Sequence, residues 1–412
     1  MHMKYYNEKY TSIKSRTEKV KLDWIWIFMT FLLAMNLFAK EGYLLIGVIV
    51  VGLFICGYKG SRFKPTVDLL LIFLFSLTYF AIYSIHKGPS ISLLFLYLIV
   101  PTSCFFIGYF IVKSDEKIVT KTILAVTTGM FFHGFLNMIL YFKAFGISSS
   151  IRSVPDVWTG VQMAATLQGT YFTLLVSLLF FSYIKWGEKK KVAAIFLIIG
   201  AVFSISSSLI LGNRTLILIM ILVFVLNLLL YTFILKTNQK KVFKIWIFIG
   251  LSLLILGVTY SINLFGVKDF VLGSNFYTRV ETTGGLGEDP RFVVQSSVIS
   301  QMFDYPFGGY KINLGFNSYA HNLWLDVLVA TGLIPFLLLI AYTVKVMMNL
   351  FILIKNKHVD RQFKFIAFSI NFGFLINFMV EPILDGIPYM FMSFCLLNGM
   401  IKKYLDILRE NS

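Results

Sequence analysis

Charged residues are scarce in this sequence, and their scarcity excludes a soluble globular domain. Only 14% of the 412 residues are charged and 58% are hydrophobic, with a mean hydropathy of +0.79. These values are typical of a chain whose main solvent is a lipid bilayer. Cysteine is scarce as well. The three cysteines, Cys56, Cys104 and Cys395, lie in apolar runs without metal-binding or redox spacing, so we interpret them as inert core residues.

The hydrophobic runs predict an all-α polytopic membrane protein with about twelve transmembrane helices. A helix needs about 17 to 25 residues to cross roughly 30 Å of hydrocarbon. The predicted spans cover residues 22–39, 43–58, 67–85, 91–112, 118–142, 160–184, 192–211, 215–235, 245–265, 320–344, 363–380 and 387–405.

The basic residues predict the orientation of these spans. Residues 1–21 are rich in lysine and precede the first span, which predicts a cytoplasmic N-terminus. Twelve crossings return the C-terminus to the same side and leave 28 of the 37 Lys and Arg residues inside and 9 outside. The net charge of +17 therefore reflects topology, and nucleic acid is excluded as a partner. The first span has no cleavage site after its apolar run, so we expect it to be retained.

One connection is much longer than the others and predicts a functional segment on the outer face. It lies between spans nine and ten, and loops of this length are usually functional or disordered. Its aromatic residues predict a fold on the membrane surface, with a flexible point at ETTGGLGEDP, residues 281–290. The predicted organisation is a cytoplasmic segment 1–21, spans one to nine in 22–265, the outer segment 266–319, spans ten to twelve in 320–405, and a cytoplasmic tail 406–412.

The most distinctive local pattern is NSYAHNLWLDVLVATGLIPF, residues 317–336, where the outer segment meets span ten. His321 and Asn322 stand at the predicted end of a helix, in contact with water and the bilayer interface. Two interpretations remain open from composition. The pair either belongs to a functional site or merely caps and positions the helix end.

Four arginines are predicted to face outward, against the usual orientation bias. Arg214 occupies the turn between spans seven and eight, Arg152 follows span five, and Arg279 and Arg291 lie in the outer segment. A phosphate group is the natural partner of such a charge. The alternative for Arg214 is snorkelling to ordinary phospholipid. The alternative for Arg279 and Arg291 is pairing with nearby acidic residues, namely Glu281, Glu288 and Asp289.

Outward arginines together with a histidine make chemical sense around a pyrophosphate. Guanidinium groups bind its oxygens through paired hydrogen bonds and neutralise the charge that grows on a departing phosphate. A neutral histidine removes the proton of an attacking sugar hydroxyl. This chemistry needs no metal or other cofactor, and the outer loops lack the aspartate cluster that Mg²⁺ prefers.

The sequence here resembles the family of O-antigen ligases and O-antigen, capsular or exopolysaccharide polymerases (Wzy-type). The resemblance rests on GNRT between two spans, a Pro-Arg-Phe stretch in a long outer loop, and AHNLWLDVLVATGLIPF, and it covers roughly residues 192–344. Gly332 matches a glycine of the family motif. Pro335 stands where the family often has a second glycine, which puts the local packing in question.

The resemblance implies a helical glycosyltransferase architecture of the GT-C-like type and a glycan on undecaprenyl pyrophosphate as substrate. It implies inversion at the anomeric carbon without a metal. The family's essential arginines would correspond to Arg214 and Arg291, and its essential histidine to His321.

Three further polar residues are less distinctive. Glu381 and Asp385, in VEPILDGIPY on the last outer turn, either bind acceptor hydroxyls or pair with the arginines, and we favour pairing because unpaired arginines beside hydrocarbon are costly. His133, within span five, is either a functional intramembrane group or a buried histidine satisfied by a neighbour, and we favour the second.

The leading functional prediction is a polysaccharide polymerase on the outer face of a bacterial plasma membrane. Its catalytic residues would be His321, Arg214 and Arg291, with Arg152, Arg279, Asn322, Glu381 and Asp385 binding substrate. Membrane lipids, a chain-length regulator and a flippase are the expected partners. The alternatives are a ligase that passes the finished glycan to a terminal acceptor, and a transporter or flippase. A transporter should place ionisable residues at mid-membrane on several helices, whereas the charges here avoid the centres of the spans.

Overall fold

The computed structural model describes residues 22–59, 65–112, 116–147, 150–181, 191–234, 239–282, 290–315 and 318–410. The predicted segment 1–21 and the last two residues of the predicted tail lie outside this part. The helices in chain order are α1 (Leu22–Ala34), α2 (Glu41–Lys59), α3 (Val67–Lys87), α4 (Ile91–Ile111), α5 (Lys117–Phe145), α6 (Ala165–Phe181), α7 (Lys191–Leu211), α8 (Arg214–Leu229), α9 (Gln239–Ser261), α10 (Val267–Leu272), α11 (Asn275–Thr282), α12 (Pro290–Gln301), α13 (Leu323–Thr331), α14 (Leu333–Lys355), α15 (Arg361–Phe378), α16 (Ile383–Gly386) and α17 (Pro388–Glu410). Strands β1 (Ser153–Pro155) and β2 (Gln162–Ala164) form one antiparallel hairpin.

The chain is an all-α polytopic membrane protein apart from that hairpin. Among the described residues, six helices are long and apolar enough to cross a bilayer, namely α3, α4, α5, α7, α8 and α14. A seventh span results if the bent pair Leu254–Ser261 and Leu264–Leu272, which meet at 100°, is counted as one crossing. By length and apolarity, the described residues therefore contain fewer candidate membrane spans than the twelve predicted. Helices α1 and α6 are apolar but short, and α15 and α17 carry lysines and other polar residues on largely buried surfaces.

The helices pack around α6, which contacts α5, α7, α8 and α15. Helix α17 packs along α4, and α14 packs along α3. Large apolar side chains nevertheless remain exposed on the outside of the bundle. Helix α9 exposes Leu254, Ile255 and Leu256 by more than 60% each. Apolar surface of this extent requires lipid around it, since helices of this kind bury their remaining apolar faces against hydrocarbon.

Predicted span ten is wrong as a continuous helix, because Gly332 divides it into α13 and α14. Gly332 has a φ of +83°, and a Cβ there would lie 2.1 Å from the carbonyl oxygen of Pro306. Only glycine adopts this conformation without strain and lets another backbone approach so closely. The spacing of apolar residues continues through the break, so periodicity alone does not reveal it.

Two other predicted boundaries also differ from the structure. The predicted sixth span begins at residue 160, but the chain forms the β1–β2 hairpin first and α6 starts at Ala165. Helix α9 ends at Ser261, where a left-handed residue, Asn263, turns the chain into α10. The predicted outer segment therefore contains three short helices, α10, α11 and α12. Most of its glycine-rich stretch, at 283–289, lies outside the described residues.

The connections predicted to be on the outer face gather at one end of the bundle. The Nε2 atom of His86, at the end of α3, lies 3.0 Å from the carbonyl oxygen of Phe307 in the segment before α13. The indole of Trp158, in the hairpin, donates to the carbonyl of Met35 beyond α1. The turns after α7 and α15 meet at this same end, because Arg291 donates both to Thr215, at the start of α8, and to Glu381, after α15.

Candidate functional site

The turn between α7 and α8 lies at the centre of the site and is held by hydrogen bonds. The Asn213 side-chain oxygen accepts hydrogen bonds from the N–H groups of Thr215 and Leu216 at 3.1 and 3.3 Å, and so caps α8. The Asn213 amide donates to the carbonyl of Ala165 at 3.0 Å, which ties the turn to the start of α6. Gly212, at φ +67°, allows the carbonyl of Asn275 to approach. Arg214 is thereby held as the first residue of α8 and is half-buried.

Three other arginines converge on this turn from distant parts of the chain. Arg152 donates from Nε to the carbonyl of Leu211 at 3.1 Å. Arg279 donates to the carbonyl of Gly212 at 3.3 Å. Burial, and then the charge of Arg214, lower the pKa of Arg152, which shows that these two guanidinium groups lie within electrostatic reach.

Arg291 completes the convergence from the first turn of α12. Its Nη1 donates to the hydroxyl of Thr215 at 3.2 Å, and its Nη2 donates to Glu381 at 3.3 Å. The four predicted outward arginines therefore form one group, which we call the arginine cluster: Arg152, Arg214, Arg279 and Arg291. Of the acidic alternatives considered for Arg279, Glu281 is hydrogen-bonded to Tyr277, and Glu288 and Asp289 lie outside the described residues.

Glu381 is the buried carboxylate of the site. Its side chain is 3% exposed and pairs with Arg291, so the predicted pairing with an arginine is confirmed for this residue. Burial raises the pKa of Glu381 to about 7, although the charge of Arg291 and hydrogen bonds from Thr166 and Arg291 act in the opposite direction. Asp385, in the same turn, has no ion pair with the arginine cluster in the described part of the chain; partial burial raises its pKa, and the charge of Lys87 lowers it in part.

His321 sits in a short loop whose backbone is held from both sides. The two carboxylate oxygens of Asp326 accept hydrogen bonds from the N–H of Ala320 at 2.7 Å and of Asn322 at 3.2 Å. The Asn322 side-chain oxygen accepts from the N–H groups of Trp324 and Leu325 and caps α13. Asn322 is therefore the residue that caps the helix, as the second interpretation of the pair expects.

The backbone at His321 adopts a φ of +53°, in the left-handed region that non-glycine residues seldom occupy. His321 is itself not a cap. Conformations of this kind persist where the surroundings enforce them, and they cluster at functional sites.

Gln295 joins the His321 loop to the arginine cluster. It lies one turn after Arg291 on α12 and donates to the carbonyl of Ala320 at 3.3 Å and to that of Met379 at 3.5 Å. Asn322 also donates to the carbonyl of Met379, at 3.4 Å. The residues on both sides of His321 thus contact the elements that carry Arg291 and Glu381. Gln295 is not among the predicted site residues, although its spacing of four from Arg291 places both residues on one helix face.

His133 holds the hairpin that precedes α6. Its Nε2 atom lies 2.7 Å from Oδ2 of Asp156, and the His133 side chain is fully buried. Oδ1 of Asp156 accepts hydrogen bonds from the backbone of Trp158 and Thr159. Burial alone would raise the pKa of Asp156, but hydrogen bonds from His133, Thr159 and Trp158 bring it to about 2. A neighbour therefore partners Nε2 of His133, as the favoured interpretation expects, and this contact fixes the hairpin that follows Arg152.

One cavity and the arrangement of possible metal ligands bear on what else the described residues hold. A cavity of about 510 Å³ lies at the opposite end of α5, between Glu116, Lys121, Phe196 and Gln362, and its lining is mostly apolar. Within the described ranges no group of three or more His, Cys, Asp and Glu side chains is arranged to hold a metal ion.

Comparison with known proteins assigns the chain to no family. No model of a protein family matches it, and no curated protein sequence matches it.

Proposed function

We propose that the chain is a glycosyltransferase that transfers a glycan from a polyprenyl pyrophosphate to the sugar of a second lipid-linked unit, as polysaccharide polymerases of the Wzy type do. The observation that carries the proposal is the arrangement of the arginine cluster on one turn, joined through Gln295 to the loop of His321. A cluster of guanidinium groups favours a ligand with several anionic oxygens.

The proposed reaction divides the work between the two halves of the site. The arginine cluster binds the donor pyrophosphate and neutralises the negative charge that grows as the bond between the anomeric carbon and the phosphate oxygen breaks. The neutral imidazole of His321 takes the proton of the acceptor hydroxyl as its oxygen forms the new bond to the anomeric carbon. The lipid pyrophosphate leaves with the electron pair, and direct displacement inverts the anomeric configuration. Glu381 orients Arg291.

The proposed setting is the outer face of a bacterial plasma membrane, with undecaprenyl pyrophosphate as the lipid. We propose about twelve crossings in a GT-C-like architecture, with both termini in the cytoplasm. The excess of basic residues in the connections opposite the site supports this orientation. A chain-length regulator and a flippase are the proposed partners, since a polymerase on this face needs lipid-linked units brought across the membrane.

The test is elongation by the purified protein in detergent. Lipid-linked repeat units isolated from the host serve as donor and acceptor, and the products are resolved by length. Because the proposed contacts are bidentate, Arg214→Lys and Arg291→Lys should each lower the rate about 10- to 100-fold, the range expected for one charge-assisted hydrogen bond. A chelator should leave the rate unchanged.

The matched control is Arg409→Lys, because Arg409 is exposed near the end of α17. This variant should elongate at the wild-type rate. Failure of the wild-type protein to lengthen any lipid-linked unit contradicts the proposed function, and full rates in both site variants contradict the role of the arginine cluster.

A further inference from the structure

A group of tyrosines at the same end of the bundle has no part in the proposed reaction. The ring centroids of Tyr79 and Tyr97 lie 5.0 Å apart, and those of Tyr83 and Tyr97 lie 5.4 Å apart. The Tyr83 and Tyr310 centroids are 6.5 Å apart. Tyr79 and Tyr97 are buried, whereas Tyr83 and Tyr310 are partly open. The four rings therefore form one aromatic surface beside the outer connections, and Tyr83 and Tyr310 are its partly open part.

Polar groups of both charges line this aromatic surface. The Lys87 ammonium lies 4.4 Å from the centroid of the Tyr310 ring. The hydroxyl groups of Tyr310 and Tyr83 are hydrogen-bonded to each other. Burial, and then the negative charge of Asp385, raise the pKa of both Tyr310 and Tyr319. Partial enclosure raises the pKa of Asp385 itself, and the charge of Lys87 lowers it in part.

The segment that carries Tyr310 is fixed in an unusual conformation. Tyr310 has a φ of +58°, and its N–H donates to the carbonyl of Val329 at 3.0 Å. The N–H of the preceding residue, Gly309, donates to the carbonyl of Ala330 at 3.0 Å. The end of α13 thus holds Tyr310 in the left-handed region, where a non-glycine residue is strained; residues strained in this way cluster at functional sites.

Tyr319 connects this surface to the proposed base. Its ring centroid lies 6.4 Å from that of His321, in an edge-on arrangement. Tyr310 packs against the apolar cluster that contains Ala320, the residue between Tyr319 and His321, so the two ends of the surface adjoin. A sugar packed against Tyr319 would therefore lie beside the imidazole of His321.

The chemistry of this surface matches a neutral sugar better than a phosphate. The C–H faces of a sugar ring pack against aromatic rings, and its hydroxyls donate to a carboxylate and accept from an ammonium group or a phenol. A pyrophosphate would meet the Asp385 carboxylate and be repelled. We propose that Tyr83, Tyr310, Tyr319, Asp385 and Lys87 form an acceptor subsite that binds the sugar whose hydroxyl is deprotonated by His321. The role of this sugar as the acceptor rests on the proposed transferase function.

The experiment measures sugar binding separately from turnover. The probe is the lipid-free oligosaccharide released by mild acid from the host's lipid-linked repeat unit, and binding to the protein in nanodiscs is followed by saturation-transfer nuclear magnetic resonance. Asp385→Asn and Tyr310→Phe keep the shape of the surface and remove one charge or one hydroxyl. Each should weaken binding at least tenfold and raise the KM for the acceptor by the same factor, with kcat changed less than twofold.

Two conservative changes elsewhere serve as controls. Asp304→Asn removes a negative charge from an exposed turn of the outer segment, and Tyr43→Phe removes a hydroxyl from a side chain that is 75% exposed. Both should bind the oligosaccharide with wild-type affinity.

The outcomes separate this proposal from the proposed function. Unchanged binding in Asp385→Asn and Tyr310→Phe, or no binding by a wild-type protein that elongates lipid-linked units, overturns the acceptor subsite and leaves the transferase proposal standing. Binding that the two variants weaken, in a protein that elongates nothing, supports a sugar site and overturns the transferase proposal. Failure of both measurements overturns both proposals.

Discussion

The backbone strain at His321 provides a test that separates catalysis from stability. A non-glycine residue in the left-handed region costs roughly 1 to 2 kcal/mol, and His321 has a φ of +53°. His321→Ala and His321→Gly remove the same imidazole, but only glycine adopts this φ without strain. Glycine also adds about 0.4 to 1 kcal/mol of conformational freedom to the unfolded chain. The glycine variant should therefore be as stable as the alanine variant or more stable, by up to about 1.5 kcal/mol.

Both variants should lose nearly all elongation. Removal of a general base lowers the rate typically about a hundredfold to ten-thousandfold, which corresponds to roughly 3 to 5 kcal/mol of activation free energy. The assay pairs two measurements on each purified variant, namely the rate of elongation of lipid-linked units and the temperature at which half of the protein leaves the monodisperse peak in size-exclusion chromatography. We expect the order of stability to be glycine above alanine, while the two rates are equally low.

Either measurement is able to refute the reasoning. An alanine variant that is clearly more stable than the glycine variant would show that the backbone at His321 is not strained. A glycine variant that retains most of the wild-type rate would show that the imidazole is not the base. Restoration of elongation by added imidazole in either variant would strengthen the assignment, since the small base replaces the missing side chain.

Three further predictions concern the carboxylate, the helix break and the topology. Burial raises the pKa of Glu381 from 4.5 to about 7, so the unfolded chain releases this proton at a lower pH than the folded protein does. The free energy of unfolding should therefore fall as the pH rises from about 4.5 to about 7, by about 3 kcal/mol at most. Glu381→Gln should remove this decline in a pH series of thermal unfolding. Gly332→Ala should lower the melting temperature more than Gly315→Ala, because both glycines have a positive φ but only a Cβ at Gly332 meets another backbone atom, at 2.1 Å; equal losses would contradict the close approach. In a variant without the native cysteines, Phe303→Cys should react with an impermeant thiol reagent in intact cells and Lys357→Cys should not, and the reverse result would invert the proposed topology.

The composition of the site was predictable because its residues violate a strong rule. Arginine at the outer boundary of a membrane protein is unusual, so Arg152, Arg214, Arg279 and Arg291 attract attention without any knowledge of the fold. Their convergence on one turn was not predictable, since Arg152 and Arg291 reach it through contacts 59 and 76 residues away in sequence. A single sequence contains no direct information about contacts over such separations.

The parts that the sequence did not reveal share a physical cause. Hydropathy reports how apolar a segment is, and it does not report a backbone conformation such as that of Gly332. Helices α15 and α17 are largely enclosed by protein, so their polar residues are tolerated and apolarity is a poor guide to whether they cross the bilayer. Tyr83 and Tyr310 resemble ordinary interfacial aromatic residues in sequence, and only their proximity across 227 residues distinguishes them.

The carbonyl oxygens that hold Arg152 and Arg279 have an electrostatic consequence. A carbonyl oxygen orients a guanidinium group without cancelling its charge, so these two hydrogen bonds align Arg152 and Arg279 and themselves neutralise neither. An anion that enters such a site meets side chains that folding has already ordered. Binding therefore loses little further entropy by immobilising them. Affinity for a multivalent anion should then decrease steeply with ionic strength, as it does wherever association depends on charges that remain accessible to solvent ions.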